Sequence, residues 1–148
     1  MTRRIGLVGC VKGKRGSAAK AQDLYESTLF RGRRSYVEQS CDEWWILSAK
    51  HGVIHPLDVI APYDVSLKEM GRSERRRWAQ RVLQELQATS RPASGDIVEI
   101  HAGSEYRDFG LVEGLHQIGC LISIPTEGLP IGSQLRFYLS RSSDETNG

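Results

Sequence analysis

The residues of this chain best suited to chemistry fall in four short polar segments, each following an apolar, strand-like run. Gly9 and Cys10 lead into Lys12, Gly13, Lys14, Arg15 and Gly16. Ser48 leads through Lys50 and His51 to Gly52, and His101 leads through Gly103 and Ser104 to Glu105 and Tyr106. Thr126, Glu127 and Gly128 follow Pro125. Lysines between glycines suit a phosphate or another anion, because glycine lets backbone amides approach and the ammonium groups add charge. Gly9, Cys10, Lys12 and Lys14 are therefore candidate ligand-binding residues, with a merely basic loop as the alternative. Neither Gly-x-x-x-x-Gly-Lys-[Ser/Thr] nor Gly-x-Gly-x-x-Gly is present, so the two common nucleotide fingerprints do not apply.

The other segments suggest acid–base work. His51 titrates near neutral pH and can act as a general acid or base, Lys50 can hold an anion, and Ser48 joins them in one turn. Asp64, after Pro62 and Tyr63, could orient His51, bind a ribose hydroxyl or simply occupy a turn. Glu105 either meets a ligand or complements a helix dipole. Tyr106 either stacks on a base or joins the core. Glu127 is a candidate general base or ribose ligand, against a solvated turn glutamate. Cys10 would be a nucleophile only with a stabilised thiolate, so a buried structural cysteine is favoured. His55, His101 and His116 are scattered, and Cys10, Cys41 and Cys120 form no Cys-x-x-Cys pair, so no metal site is expected. Arg72, Arg75, Arg76 and Arg77, with Arg31, Arg33 and Arg34, could contact nucleic-acid phosphates or form a solvated helix face.

The elements that would position these groups alternate in type. Strands are expected at 4–9, Trp44 to Leu47, Ile97 to His101 and Cys120 to Ile124. Ser27 caps a helix over Thr28 to Gln39, burying Leu29, Phe30, Tyr36 and Val37. Ser73 caps a helix whose apolar stripe is Trp78, Ala79, Val82, Leu83 and Leu86. Ser104 opens a helix through Ile118, and a last one spans Ser133 to Ser140. Residues 10–26 and Gly52 to Met70 read as irregular. This pattern implies an α/β fold: a single-domain parallel, Rossmann-like sheet flanked by helices over residues 1–140, with 141–148 a disordered tail. Parallel strands would bring all four polar segments to one sheet edge, where open α/β folds bind ligands. The 148 residues carry a net charge of +2, with 39% hydrophobic and 26% charged residues. That balance is ordinary for a globular chain. No apolar run reaches the roughly 20 residues of a membrane span, and the basic N-terminus lacks a signal-peptide core, so a cytoplasmic protein is expected.

Three segments together, Gly9-Cys10-Val11-Lys12-Gly13-Lys14, Leu47 to Pro56 and Pro62-Tyr63-Asp64, resemble an uncharacterised bacterial and phage family of small proteins, in which the first is followed by a stretch like Leu24-Tyr25-Glu26-Ser27-Thr28-Leu29-Phe30. The stretch from Leu47 to Asp64 is also similar to the larger YaaA peroxide-stress proteins, which bind DNA and have been compared with base-excision glycosylases. The resemblance implies a nucleobase or nucleic-acid site. On this reading the chain is an enzyme handling a nucleotide or nucleobase, cleaving or exchanging an N-glycosidic bond. Glu127 or Asp64 supplies the carboxylate, His51 or Lys50 assists the leaving base, and no cofactor is needed. The rival expectation is a non-catalytic nucleic-acid-binding protein of the YaaA type. Phosphoryl transfer with magnesium is less favoured, for want of paired acids near the glycine-lysine segment.

Overall fold

The run Ile5-Gly6-Leu7-Val8-Gly9 has no polar face, and the chain buries all of it as the middle strand of a sheet. In the computed structural model, which describes residues 2–10 and 16–146, strand β1 (Arg4–Gly9) pairs in parallel with β3 (Glu43–Ser48) on one side and β6 (Ile97–His101) on the other. A further parallel strand, β7 (Leu121–Ser123), adds beyond β6. A short antiparallel strand, β4 (Gly52–Ile54), adds beyond β3. The order is β4-β3-β1-β6-β7. A separate antiparallel ribbon joins β2 (Ala19–Lys20) to β5 (Val59–Ile60). Lys12 and Lys14 lie outside the described residues.

Alternating side chains feed two apolar layers, as the pleat requires. Ile5, Leu7, Leu47, Val98 and Ile100 meet Trp78, Ala79, Val82 and Leu86 of α3 (Arg72–Ala88) and Leu111 and Leu115 of α5 (Leu111–Ile118). On the other face Val8 and Ile46 meet Leu24 of α1 (Ala21–Leu24) and Phe30 and Val37 of α2 (Thr28–Ser40). Helix α6 (Ile131–Thr146) packs along α2. Gly6 allows α2 to settle on the sheet: a Cβ there would stand 2.9 Å from Val37 Cγ1. The result is a mixed α/β architecture, a mostly parallel five-stranded sheet with helices on both faces. Among the described residues, no helix is long and apolar enough to cross a membrane.

Several expectations need correction. The sheet is not wholly parallel, because β4 folds back within the stretch read as irregular. Residues 10–26 likewise contain β2 and α1. The helix expected from Ser104 to Ile118 breaks after α4 (Ser104–Arg107). Gly110 sits there at φ +124, a conformation glycine adopts at little cost. Gly71, not Ser73, is the N-cap of α3. Helix α6 begins at Ile131 rather than Ser133, because the Pro130 carbonyl already accepts the Gln134 N–H at 3.0 Å, and it continues through Thr146 where a disordered tail was expected. The Ser27 cap is as expected, its hydroxyl accepting the Phe30 N–H at 3.1 Å.

The connection out of β1 leads to β3 on one side, and β6 then takes the opposite side. Chain paths therefore diverge at the carboxyl ends of β1 and β6, leaving the crevice in which such sheets bind ligands.

Candidate functional site: a cleft at the carboxyl ends of the central strands

A cleft of about 500 Å³ opens at that divergence. Its floor is Cys10 and Ala102, after β1 and β6; one wall is Gly103 to Arg107, and another is the turn from Thr126 to Pro130. Arg33 of α2 and Lys68, from a short 3-10 turn over Leu67–Glu69, complete it. Gly9 keeps the strand ends in contact, since a Cβ there would stand 2.7 Å from that of Ala102.

Arg33 is the unusual member. Its side chain is buried, 4% exposed, yet lines the cleft. Nη1 donates to the Gly9 carbonyl and Nη2 to Gln134 Oε1, both at 3.3 Å. Nε has no partner. Among the described residues no carboxylate lies within ion-pair distance of it. Burial pulls its pKa down, opposed by the neighbouring hydroxyls of Tyr138 and Tyr106 and by Glu105. At the rim, Arg107 Nη1 approaches Glu127 Oε1 at 3.7 Å, and the Glu127 side chain is 66% exposed.

Behind Arg33 lies a fully buried polar chain. Glu99 and His101 sit two apart on β6, facing α2 and α6. His101 Nε2 is 2.6 Å from Glu99 Oε1, and Nδ1 is 2.6 Å from the Tyr138 hydroxyl. Arg4 Nε donates to Glu99 at 2.6 Å and Ser40 Oγ at 3.1 Å. Burial lowers the His101 pKa despite Glu99. Burial acts to raise that of Glu99, but the hydrogen bonds and charges of His101 and Arg4 outweigh it, and the net shift is downward.

The expected site residues divide into two groups. Cys10, Glu105, Tyr106 and Glu127 line the cleft; Ser48, Lys50, His51 and Asp64 do not. Ser48 ends β3 and the other three come after it, and β3 lies on the side of β1 away from β6. The expected joint action of His51 or Lys50 with Glu127 in one pocket therefore does not match this cleft. The Ser48 hydroxyl accepts the Lys50 and His51 N–H groups at 3.2 and 3.0 Å and donates to Tyr63 at 2.8 Å, so it builds its turn. Arg81 of α3 fastens the same turn through the Lys50 and His51 carbonyls. The His51 ring stands edge-on to Tyr63 rather than being oriented by Asp64. Its pKa is lowered, first by burial and then by Lys50 and Arg81. Lys50 and Asp64 are exposed.

Within the cleft, two candidates serve structure more than ligand. Tyr106 is buried, donates to the Cys10 carbonyl at 3.1 Å and meets Trp78 edge-on, so it joins the core rather than stacking on a base. The Cys10 thiol donates to the Leu47 carbonyl at 3.0 Å, and the Tyr63 hydroxyl donates to it at 3.4 Å. Of the arginine cluster, Arg75 is tied to the Leu67 carbonyl at 2.8 Å, whereas Arg72, Arg76 and Arg77 are exposed. Arg34 pairs with Asp23 and Glu38.

Glu99 was passed over by sequence reasoning, and Arg33 and His101 were weighed there only as members of an arginine cluster, a polar segment and a scattered set of histidines, though stronger signals existed. Arg33 lies four residues after Leu29 and four before Val37, in the middle of an apolar stripe. Glu99 and His101 alternate with Val98 and Ile100 in a central strand, where both faces are buried.

The fold and cleft thus define an α/β protein with a small-molecule-sized crevice at the divergence of its central strands. Residues 5–140 match a family of unknown function, DUF6884, and the chain belongs to that family. Over 71 residues it is 34% identical to the uncharacterized protein YfjM of Bacillus subtilis (strain 168), an overlap of 43% of this chain and 47% of that protein. The match thus spans less than half the length of that relative.

Proposed function

We propose that this protein is an enzyme for a nucleotide-sized anionic substrate, bound in the cleft with a phosphate against Arg33, and that it hydrolyses or exchanges an N-glycosidic bond there. The observation that carries the reading is the buried guanidinium on the cleft wall, with no carboxylate within ion-pair distance among the described residues. An ion taken from water without a partner costs several kcal/mol, and an anionic ligand removes that penalty. The cleft volume of about 500 Å³ falls within the roughly 300–1,000 Å³ of small-molecule sites. If the sheet is Rossmann-like, its ligand belongs in the same crevice.

Hydrolysis of the glycosidic bond adds water at the anomeric carbon and releases the base with the electrons of the broken bond. Glu127 or Glu105 is the carboxylate that takes the water proton or stabilises the developing positive charge. Lys68 and Arg107 are the cleft's donors toward the leaving base. The resemblance of Leu47 to Asp64 to YaaA proteins accords with a nucleobase ligand. The second reading, a non-catalytic nucleic-acid binder, is favoured by the exposure of Arg72, Arg76 and Arg77 on α3.

One set of titrations separates them. The protein is mixed with a nucleoside 5′-monophosphate, the matching nucleoside and an oligonucleotide at low and moderate salt, and released base is measured by chromatography. The expected result is binding of the monophosphate over the nucleoside, base release, and loss of both in Arg33→Gln. Binding of the polymer alone, falling steeply with salt, and no released base would overturn the enzyme reading.

A further inference from the structure

The chain Arg4–Glu99–His101–Tyr138 ends beside Arg33, and the donor and acceptor roles along it follow from its members. The Glu99 carboxylate receives Arg4 and Ser40. An ionised carboxylate only accepts hydrogen bonds, so the proton on His101 must sit on Nε2, facing Glu99 at 2.6 Å. Burial keeps the ring neutral, so Nδ1 carries a lone pair and the Tyr138 hydroxyl, 2.6 Å away, must donate to it. The oxygen of Tyr138 is then left with lone pairs only. Its neighbours at that end are Arg33 and Thr126, and both line the cleft. A guanidinium can only donate. An acceptor is what it requires from below, and the carboxylate at the far end guarantees one.

We propose that Glu99, His101 and Tyr138 are positioning residues that hold the Arg33 guanidinium in the cleft, by fixing the Tyr138 oxygen as an acceptor beneath it. This rests on the anion-binding role of Arg33 argued above. Tyr138 and His101 are 2% and 0% exposed, so neither touches a substrate and both act through Arg33. Glu99 is itself paired with Arg4 at 2.6 Å, so it acts by fixing the direction of the hydrogen bonds rather than by its charge, and it leaves the outer N–H groups of Arg33 available.

The test uses the whole protein with inorganic phosphate as the probe. Nitrogen-15 NMR of the imidazole should show His101 as the Nε2–H tautomer in the wild type. Glu99→Gln offers Nε2 an amide donor, so the proton should move to Nδ1, the Tyr138 oxygen should accept from it and turn its own hydrogen toward Arg33 and Thr126, and phosphate affinity should fall about tenfold. Tyr138→Phe should weaken phosphate to a similar degree without altering the wild-type tautomer. If phosphate binds the wild type and is lost in Arg33→Gln, yet Glu99→Gln and Tyr138→Phe bind within twofold of wild type, the positioning chain is wrong and the anion site stands. A wild-type protein that binds no phosphate overturns both. Should Tyr138→Phe fail to fold, the wild-type tautomer still decides: an Nδ1–H imidazole overturns the chain as drawn.

Discussion

Replacing Arg33 by methionine should stabilise the ligand-free protein while removing its affinity for anions. Methionine keeps an unbranched stem of similar reach on α2. The change gives up two hydrogen bonds at the long distance of 3.3 Å and the Tyr138 acceptor proposed above, together about 1.5–4.5 kcal/mol at the usual net value for each. It also removes a cation that is 4% exposed and has no carboxylate within ion-pair distance among the described residues, whose burial costs several kcal/mol. The balance is a gain of about 1–2 kcal/mol, which for a chain of this length raises the thermal midpoint by roughly 2–8 °C. Circular dichroism melts would be recorded without ligand and with phosphate at a hundredfold excess over its Kd. Ligand should add about 2.7 kcal/mol to the wild type and nothing to the variant. A variant that melts several degrees lower, with a midpoint that phosphate still raises, would refute the reasoning: Arg33 would then be a structural cation.

Other outcomes follow from the same geometry. Glu127→Gln should lose at least about a hundredfold in turnover with little change in binding, whereas His51→Ala, outside the cleft, should turn over normally; base release by chromatography compares them. His101 has a folded-state pKa below its ordinary 6.5, so the unfolded chain takes up the proton first and stability should decline as pH falls through that value. Glu99, also depressed, keeps its contribution until pH drops below its ordinary 4.5. Denaturant midpoints between about pH 7.5 and 5.5 should therefore drop in the wild type and drop less in His101→Gln, where the lowered pKa of the partly buried His51 still contributes. Gly52→Ala should cost about 1–3 kcal/mol, because Gly52 has φ +73 and a Cβ would strike the Glu85 carboxylate that accepts the Val53 N–H; an alanine variant as stable as wild type would contradict this.

The parts of the fold written in local pattern were legible in the sequence. The apolar run of β1, the Ser27 cap and the stripe of Trp78, Ala79, Val82 and Leu86 each declare themselves within a few residues. Features set by distant neighbours were not. The turn back into β4 depends on Gly52 meeting α3, and the break before α5 depends on a backbone angle at Gly110 that no periodicity reveals. The candidate site divided for the same reason. Proximity along the chain made Ser48, Lys50 and His51 look like one constellation, yet they serve a turn fastened to α3. Arg33, Glu99 and His101 come from a helix and a strand far apart in sequence, and only the packing of α2 and α6 over β6 unites them.

The position of β1 has a consequence for how this protein is made. The first strand of the chain is the centre of the sheet, and one of its edges is filled by β3 soon after it is synthesised. The other edge waits for β6, about 90 residues later, or roughly 4–18 s at ordinary rates of translation. Throughout that interval Ile5, Leu7 and Val8 sit in a half-built sheet with an open, apolar flank, the kind of edge that recruits other chains. Any truncation before Ile97 leaves the same open flank permanently, so shortened forms should precipitate or be degraded rather than persist as a smaller folded unit.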